Sequence, residues 1–429
     1  LVESGAALHL LAVDGSRFYD VDPDTYRRLG AAVADGTAET TLRELGLSRA
    51  TRAIDDAPPA DPPVRALSLA IAQKCNLSCT YCYAQQGSFG SSPQNMPGDT
   101  AKRAVDLLLS EAAAGDRVNL SFLGGELLVN RSVLRETTIY AARAAARRGI
   151  AIGLSITTNG TLIEESDAEF FEEHGFAVTV SLDGPRAVHD RLRPYRGGRG
   201  TFDTVLRNIR PLLARQNRMQ VSVRVTVTAE NLALRETLDD FIALGFHSVG
   251  FSPLLSAPGG RGEMTRESLA DMLEAMVACG EEFERRTMNG DRYPFANLLF
   301  ALKEIHRGTH RPYACGAGAG YVGVSAEGNL SACHRFVGDA AGALGTLAAG
   351  IDRARQTAWL AQRHVHRQEP CSACWARYLC GGGCHHEVIH RGRPACDYIR
   401  GWLHYCLGAY GRLSAVCPEL FERSASRVA

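Results

Sequence analysis

An α/β fold is predicted for this chain: a parallel sheet of β-α repeats, preceded by a small module and followed by a cysteine-rich domain. Three observations predict it. Short apolar runs alternate with longer amphipathic segments from Ala66 to about Leu255. A proline-rich stretch stands before that region. From Tyr313 onward glycine and cysteine become dense and regular elements shorten.

Residues 1–56 read as the small module. Leu8–Val13 is an apolar run, Asp14-Gly15 is a hairpin turn signal, and Arg17–Val21 returns as a second strand. Asp22-Pro23-Asp24 then starts a helix, Tyr26–Val33 carries helical spacing, and Thr41–Leu47 suits a further helix. Such a module either embellishes the next domain or binds a peptide along an exposed strand edge. Residues 57–65 are a linker, because the prolines between Pro58 and Pro63 remove amide donors and fix φ. Residues 66–260 hold the expected strands Ala66–Gln73, Val118–Leu123, Ala151–Thr157, Ala177–Leu182, Gln220–Val227 and Ser248–Leu255. Helical segments such as Thr100–Ala113, Ser132–Ala146 and Phe202–Leu213 separate them. Right-handed crossovers wind these repeats into a barrel or an open doubly wound sheet. Either architecture puts function at the carboxyl ends of the strands. Residues 261–312 form a helical bridge, and 313–429 have the texture of a domain organised by metal.

Composition narrows the function classes. The 429 residues include 47 Lys+Arg and 47 Asp+Glu, so there is no charge footprint for nucleic acid or an anionic membrane surface. Hydrophobic content of 45% and charged content of 22% exclude global disorder. No apolar run approaches the roughly 20 residues that span a bilayer, and no signal-peptide pattern is visible, so the expected location is cytoplasmic. Numbering from Leu1 rather than Met suggests a short preceding piece. The 13 cysteines are an odd number in a long chain without a secretory signal, which favours metal ligation over disulfides.

Lys74-Cys75-Asn76-Leu77-Ser78-Cys79-Thr80-Tyr81-Cys82 follows the first expected strand. Three thiolates on one tight loop can hold three irons of a four-iron, four-sulfur cube and leave the fourth iron open. A zinc site with a remote fourth ligand is the alternative for the triplet alone. Four further segments end successive strands or lie on them: Gly124-Gly125-Glu126, Thr157-Thr158-Asn159-Gly160, Ser181-Leu182-Asp183-Gly184 and, within the fifth strand, Arg224. Together with the triplet they resemble the signature of the radical S-adenosylmethionine (radical SAM) superfamily. The resemblance implies a partial (β/α)6 TIM-like barrel with S-adenosylmethionine on a [4Fe-4S] cluster held by Cys75, Cys79 and Cys82. It implies that Gly124, Gly125 and Glu126 hold the methionine amino group and that Arg224 pairs with its carboxylate. Tyr81, Thr157, Asn159 and Ser181 join the cofactor site, and Asp183 faces cofactor or substrate. This copy reads GGELL where the family usually has proline after the glutamate.

Cys371, Cys374, Cys380 and Cys384 form CxxCx5CxxxC, with Cys315 and Cys333 upstream and Cys396, Cys406 and Cys417 downstream. This order resembles the SPASM extension of radical SAM enzymes, which implies two auxiliary [4Fe-4S] clusters and three clusters in all. Cys371, Cys374, Cys380 and Cys396 match the second auxiliary cluster, and Cys315, Cys333 and Cys384 match the first. No further cysteine occurs between Ala317 and Val324, so Cys406 is a candidate for the first cluster, or for the second in place of Cys396. A pair of zinc knuckles is the alternative. Cys279 and Cys417 read as buried small hydrophobes. His385, His386 and Glu387 read as supports around the metal ligands or as helical surface.

The SPASM group acts mostly on ribosomally made peptides and on protein residues. The N-terminal module then resembles the winged-helix-like RiPP recognition element, which captures a leader peptide as an added strand. CTYCYAQQGSFG from Cys79, CGAGAGYVGVSAEGNLSACHRFVGD from Cys315 and CWARYLCGGGCHHE from Cys374 resemble thioether-forming maturases. That type includes the maturation enzyme of quinohemoprotein amine dehydrogenase. The implied reaction joins a Cys sulfur to a carbon of a peptide or small protein subunit, with flavodoxin or ferredoxin as electron donor. Carbon–carbon or carbon–oxygen cross-linking, formylglycine-type oxidation of Cys or Ser, and a non-catalytic iron–sulfur scaffold are the alternatives.

Overall fold

A computed structural model describes residues 1–47 and 56–422. The parts of the N-terminal module at 48–55 and of the cysteine-rich domain at 423–429 lie outside the described residues. Strands β1 (Val2–Ser4), β2 (Ala7–Ala12) and β3 (Arg17–Asp20) form a small antiparallel sheet in that order. Asp22 then caps α1 (Pro23–Ala34) by accepting from the Asp24 and Thr25 amides, and α2 (Ala38–Glu44) follows.

The six expected parallel strands all form. They are β4 (Ala66–Gln73), β6 (Arg117–Gly124), β7 (Ala151–Thr158), β8 (Ala177–Ser181), β9 (Gln220–Val227) and β10 (Ser248–Pro253), with a short antiparallel β5 (Gln94–Asn95) on the end of β4. Helices α3 (Gly98–Ser110), α4 (Arg131–Arg147), α5 (Glu165–Glu173), α6 (Arg186–Leu192), α7 (Phe202–Ala214) and α8 (Leu234–Ala243) lie between them in sequence. Alternation sorts the two faces. On β9 the valines at 221, 223, 225 and 227 are buried in the apolar core, while Ser222, Arg224 and Thr226 take the opposite face. That face is polar and built of small residues: Ser121 meets Ser155 at 2.7 Å and Ser222 meets Ser248 at 2.8 Å across strands. The sheet thus has one face fit for a core and one fit for a polar ligand.

Its far edge departs from the expected layout. The strand order runs β10-β9-β8-β7-β6-β4 and then continues into β11 (Tyr321–Val324), β12 (Asn329–Ser331), β13 (Ala343–Thr346) and β14 (Gly350–Ile351). β11 pairs in parallel with β4, Tyr321 opposite Ala66 and Val324 opposite Leu69. The cysteine-rich region is therefore not a separate layer: its first strand extends the barrel sheet. Tyr321-Val322-Gly323-Val324 is short and glycine-interrupted, which hides it from a periodicity reading.

Two long helices close the other side. Thr265 and Ser268 form a capping box that starts α9 (Arg266–Met288), and α10 (Ala296–His306) follows. α11 (Arg353–Arg363), α12 (Arg377–Cys380) and α13 (His385–Arg391) lead to α14 (Cys396–Val416), which packs along α9. Glu284 on α9 is buried and accepts from Arg412 Nε and Tyr405 Oη of α14, both at 2.6 Å. The small N-terminal sheet rests on the same helix, where Phe18 meets Tyr410 edge-on at 5.5 Å. No helix among the described residues is long and apolar enough to cross a membrane.

Candidate active site

The triplet loop leaves β4 and crosses the ends of β6 and β7. Its crossing is close. A Cβ on Gly125 would lie 2.3 Å from the Lys74 carbonyl oxygen, and one on Gly124 would lie 2.2 Å from that of Ala72. Only glycine permits this approach, so both glycines serve the loop's passage over the sheet. Cys75, Cys79 and Cys82 are free thiols on the loop. Burial pushes the Cys75 thiol up to about 12, and Cys79 and Cys82 are close enough to oppose a negative charge there. Such a set favours thiolates only when a cation binds them, which fits a metal cluster.

Neighbouring side chains hold the loop in place. Cys75 Sγ accepts from the Leu77 amide at 3.4 Å and from Asn159 Nδ2 at 3.7 Å. Asn159 also donates to Asn76 Oδ1 at 3.0 Å, and Asn76 donates to Thr161 Oγ1 at 2.8 Å. Asn159 thus contacts the triplet loop through the Cys75 sulfur and Asn76. Asn76 and Thr161 were not anticipated, although Asn76 sits inside the motif itself.

Glu126, Asp183 and Tyr81 also have partners within the chain. Glu126 is fully buried, and its carboxylate accepts from the Leu128 amide, the Asn159 amide and Thr158 Oγ1 at 2.8 to 3.1 Å. Both of its oxygens are committed to the chain, tying β6 to β7. Asp183 is also fully buried. It accepts from Tyr81 Oη and, at 2.9 Å, from the Thr226 amide, while Arg193 stands 3.7 Å away and donates to Tyr81 Oη at 2.6 Å. Burial pushes the Asp183 carboxyl up, against the pull of Arg193. Burial opposes the Arg193 charge, but Cys79, Tyr81 and Asp183 more than restore it. Tyr81 and Asp183 therefore lock the triplet loop to β8 and β9. Arg193 and His189, which accepts from the Asp183 amide at 3.2 Å, are the missed partners. The polar run from His189 to Arg193 after the fourth strand was the available signal.

Arg224, Ser181 and Thr157 remain open to the polar face. Register sets Ser181 opposite Arg224. The Arg224 guanidinium donates to Ser252 Oγ at 3.0 Å and has no carboxylate partner among the described residues. That free guanidinium beside a small hydroxyl suits an external carboxylate.

The C-terminal cysteines separate into two sets. Cys374, Cys380 and Cys396 all bear on the Cys371 thiol, and all four line one cavity, which Cys384 of the other set also borders. Cys315 and Cys384 both bear on Cys333, whose thiol burial pushes up to about 12. Cys406 joins neither set. It is fully buried on α14, where burial and then Glu284 push its thiol up. The reason is helical phase: Cys406 faces the α9–α14 seam, ten residues beyond Cys396. Cys279 and Cys417 are buried, as expected of small hydrophobes.

Gly381 lies between the two sets with φ +71°, and a Cβ there would come within 2.4 Å of the Tyr313 carbonyl oxygen. Gly381→Ala carries strain of about 1–3 kcal/mol before the clash is counted. It is expected to lose about four irons per chain while S-adenosylmethionine cleavage persists. Iron analysis of the reconstituted variant checks this, and full iron content refutes it.

An open cleft lies beside the triplet loop and the first auxiliary set, lined by neighbours of their cysteines and not by the cysteines themselves. Tyr83 follows Cys82 into it, Arg335 follows Cys333, and His386 follows Cys384. Arg335 donates to Glu387 at 2.6 Å and lies over the Tyr83 ring at 5.1 Å. Glu387 thus anchors Arg335.

Comparisons with known proteins agree with this geometry. The sequence model of the radical SAM superfamily matches residues 69–242. A serine-type anaerobic sulfatase-maturating enzyme of Klebsiella aerogenes is 31% identical over 353 residues, covering 79% of this chain and 84% of that protein. A cysteine-type anaerobic sulfatase-maturating enzyme of Clostridium novyi (strain NT) is 33% identical over 180 residues, 39% of this chain and 45% of that protein. Among solved structures, native anSMEcpe with bound AdoMet superposes with a TM-score of 0.69 at 22% identity, over 83% of this chain and 99% of that one. Streptococcus suis SuiB bound to precursor peptide SuiA gives 0.55 at 16% identity, over 92% of this chain and 97% of that one.

Proposed function

The chain belongs to the radical SAM superfamily, and from that premise we propose that it is a maturase that oxidises a Cys or Ser side chain of a peptide or protein substrate, in the manner of formylglycine formation. The observation that carries this reading is a cleft lined by Tyr83, Arg335 and His386, which stand within two residues of Cys82, Cys333 and Cys384 respectively. The relatives support this choice, since both serine- and cysteine-type sulfatase-maturating enzymes match.

With a [4Fe-4S] cluster on the triplet and S-adenosylmethionine bound there, the site would supply radical chemistry able to remove a substrate hydrogen, and clusters on the two auxiliary sets would supply electron acceptors. The chain's own residues do the rest. Cys75, Cys79 and Cys82 hold the first cluster, and Asn159 and the Leu77 amide stabilise the Cys75 thiolate by hydrogen bonds. Arg224, with Ser181 opposite, binds the cofactor carboxylate, and Thr157 lines the same face. Cys315, Cys333 and Cys384 hold the first auxiliary cluster, and Cys371, Cys374, Cys380 and Cys396 hold the second. Tyr83 and Arg335 line the cleft and pack on one another.

Thioether formation is the second reading. One observation favours it: among the described cysteines only three gather at the first auxiliary set, which leaves room for a substrate thiolate. The N-terminal sheet suits a leader peptide, since β3 is an edge strand. A peptide spanning the modified Ser or Cys of a sulfatase, incubated anaerobically with the reconstituted protein, separates the readings. Loss of two hydrogens from Ser with a new hydrazide-reactive carbonyl supports oxidation. A peptide that loses two hydrogens per Cys, stays unreactive to hydrazide and resists thiol alkylation overturns it in favour of the thioether.

A further inference from the structure

We propose that Asp339, His386 and His390 form a binding site for a divalent cation of the zinc class at the wall of the cleft, distinct from the iron–sulfur ligands. His386 and His390 stand one turn apart on α13, and their ring centroids are 4.6 Å apart. Asp339 reaches them from the loop after Cys333, with Oδ2 2.7 Å from His390 Nε2. One donor atom from each residue falls within 4.8 Å of the other two. Two imidazoles and a carboxylate are a donor set for zinc sites that keep one position for water or substrate.

Three observations make this more than an ion pair. The Asp339–His390 contact uses one imidazole and leaves His386 outside it. His386 Nδ1 is buried and has no hydrogen-bond partner. Phe336 packs against both rings, at 5.0 Å from His386 and 6.4 Å from His390, and so holds them in one orientation. All three donors line the cleft that also holds Tyr83 and Arg335. Zinc bonds of about 2.0–2.1 Å require the widest donor pair to close by about 1 Å or more, within reach of side-chain rotation. A cation here offers an open position to a carboxylate or carbonyl oxygen of the bound peptide. That role rests on the proposed maturase reading, whereas the cation site itself does not.

The test uses iron-replete holoenzyme, so that cluster thiolates are occupied. Zn2+ is added, weakly bound metal is removed by gel filtration, and zinc, iron and sulfide are counted in the same sample. About one retained zinc with a nitrogen and oxygen first shell containing two imidazoles, read at the zinc absorption edge, is the expected result. His390→Ala and Asp339→Ala are expected to weaken zinc binding at least about 100-fold with iron unchanged. No retained zinc in the iron-replete protein overturns the proposal and leaves Asp339–His390 as an ion pair. Sulfur in the zinc shell, or equal affinity in both variants, also overturns it. Should a variant lose iron, the zinc-edge spectrum of the unaltered protein decides alone. None of these readouts depends on turnover, so failure of the maturase reading leaves the result intact.

Discussion

Cys79→Ala abolishes reductive cleavage of S-adenosylmethionine, by more than about 10³-fold, because the cofactor carries the difficult chemistry and cannot react without the cluster that the triplet holds. The variant also loses about four irons and keeps the rest, since the auxiliary sets use other cysteines. Cys79 is held beside Arg193 and Cys82, where burial pushes its thiol up and Arg193 draws it down. Controls make the result specific. Cys279→Ala and Cys406→Ala are expected to leave iron and cleavage unchanged, because both residues are buried away from the cysteine sets. Iron analysis and product chromatography on anaerobically purified protein are the measurements. Loss of iron in Cys406→Ala would return that residue to the ligands.

Asp183→Ala has the largest expected effect on stability, about 3–5 kcal/mol. Removing the carboxylate strands the Arg193 guanidinium, which is only 10% exposed, and leaves Tyr81 Oη without its acceptor. Tyr81→Phe deletes one hydrogen-bonding group but keeps the ion pair, and is expected to cost about 1 kcal/mol. Denaturant unfolding of the reconstituted proteins orders the two. An Asp183→Ala protein as stable as the parent, yet unable to cleave S-adenosylmethionine, would show that Asp183 serves the cofactor and not the fold.

The barrel was legible from its strands because burial on one face forces alternation or continuous apolar runs. Gln220–Val227 shows both that pattern and its exception, Arg224, whose charge on an otherwise valine-rich strand marked the polar face. The cysteine sets were legible because ligand spacing is local. What the sequence could not show was how polar groups pair over long separations. Glu126 and Asp183 carry the residue types expected at a cofactor site, and their partners Thr158, Asn159, Tyr81 and Arg193 only meet them once the sheet has folded. Cys406 fits the spacing of a ligand, yet its helical phase turns it into the α9–α14 seam. The pairing of β11 with β4 was hidden for a similar reason, since neither a short strand nor its partner announces a contact so distant in the chain.

That pairing bears on how the protein is made. β4 is bordered on one side by β6, close in sequence, and on the other by β11, which leaves the ribosome about 250 residues later. At 5–20 residues per second the outer edge of β4 waits some 10–50 s for its neighbour. Throughout that interval the Ala66–Leu69 part of this apolar edge is unpaired, since β5 covers only its far end, from which the loop carrying Cys75, Cys79 and Cys82 hangs. The nascent chain therefore has a window in which it is sensitive both to edge-to-edge association and to oxidation of its thiols. The window closes only when the C-terminal region arrives, which puts delivery of iron and sulfide in competition with translation.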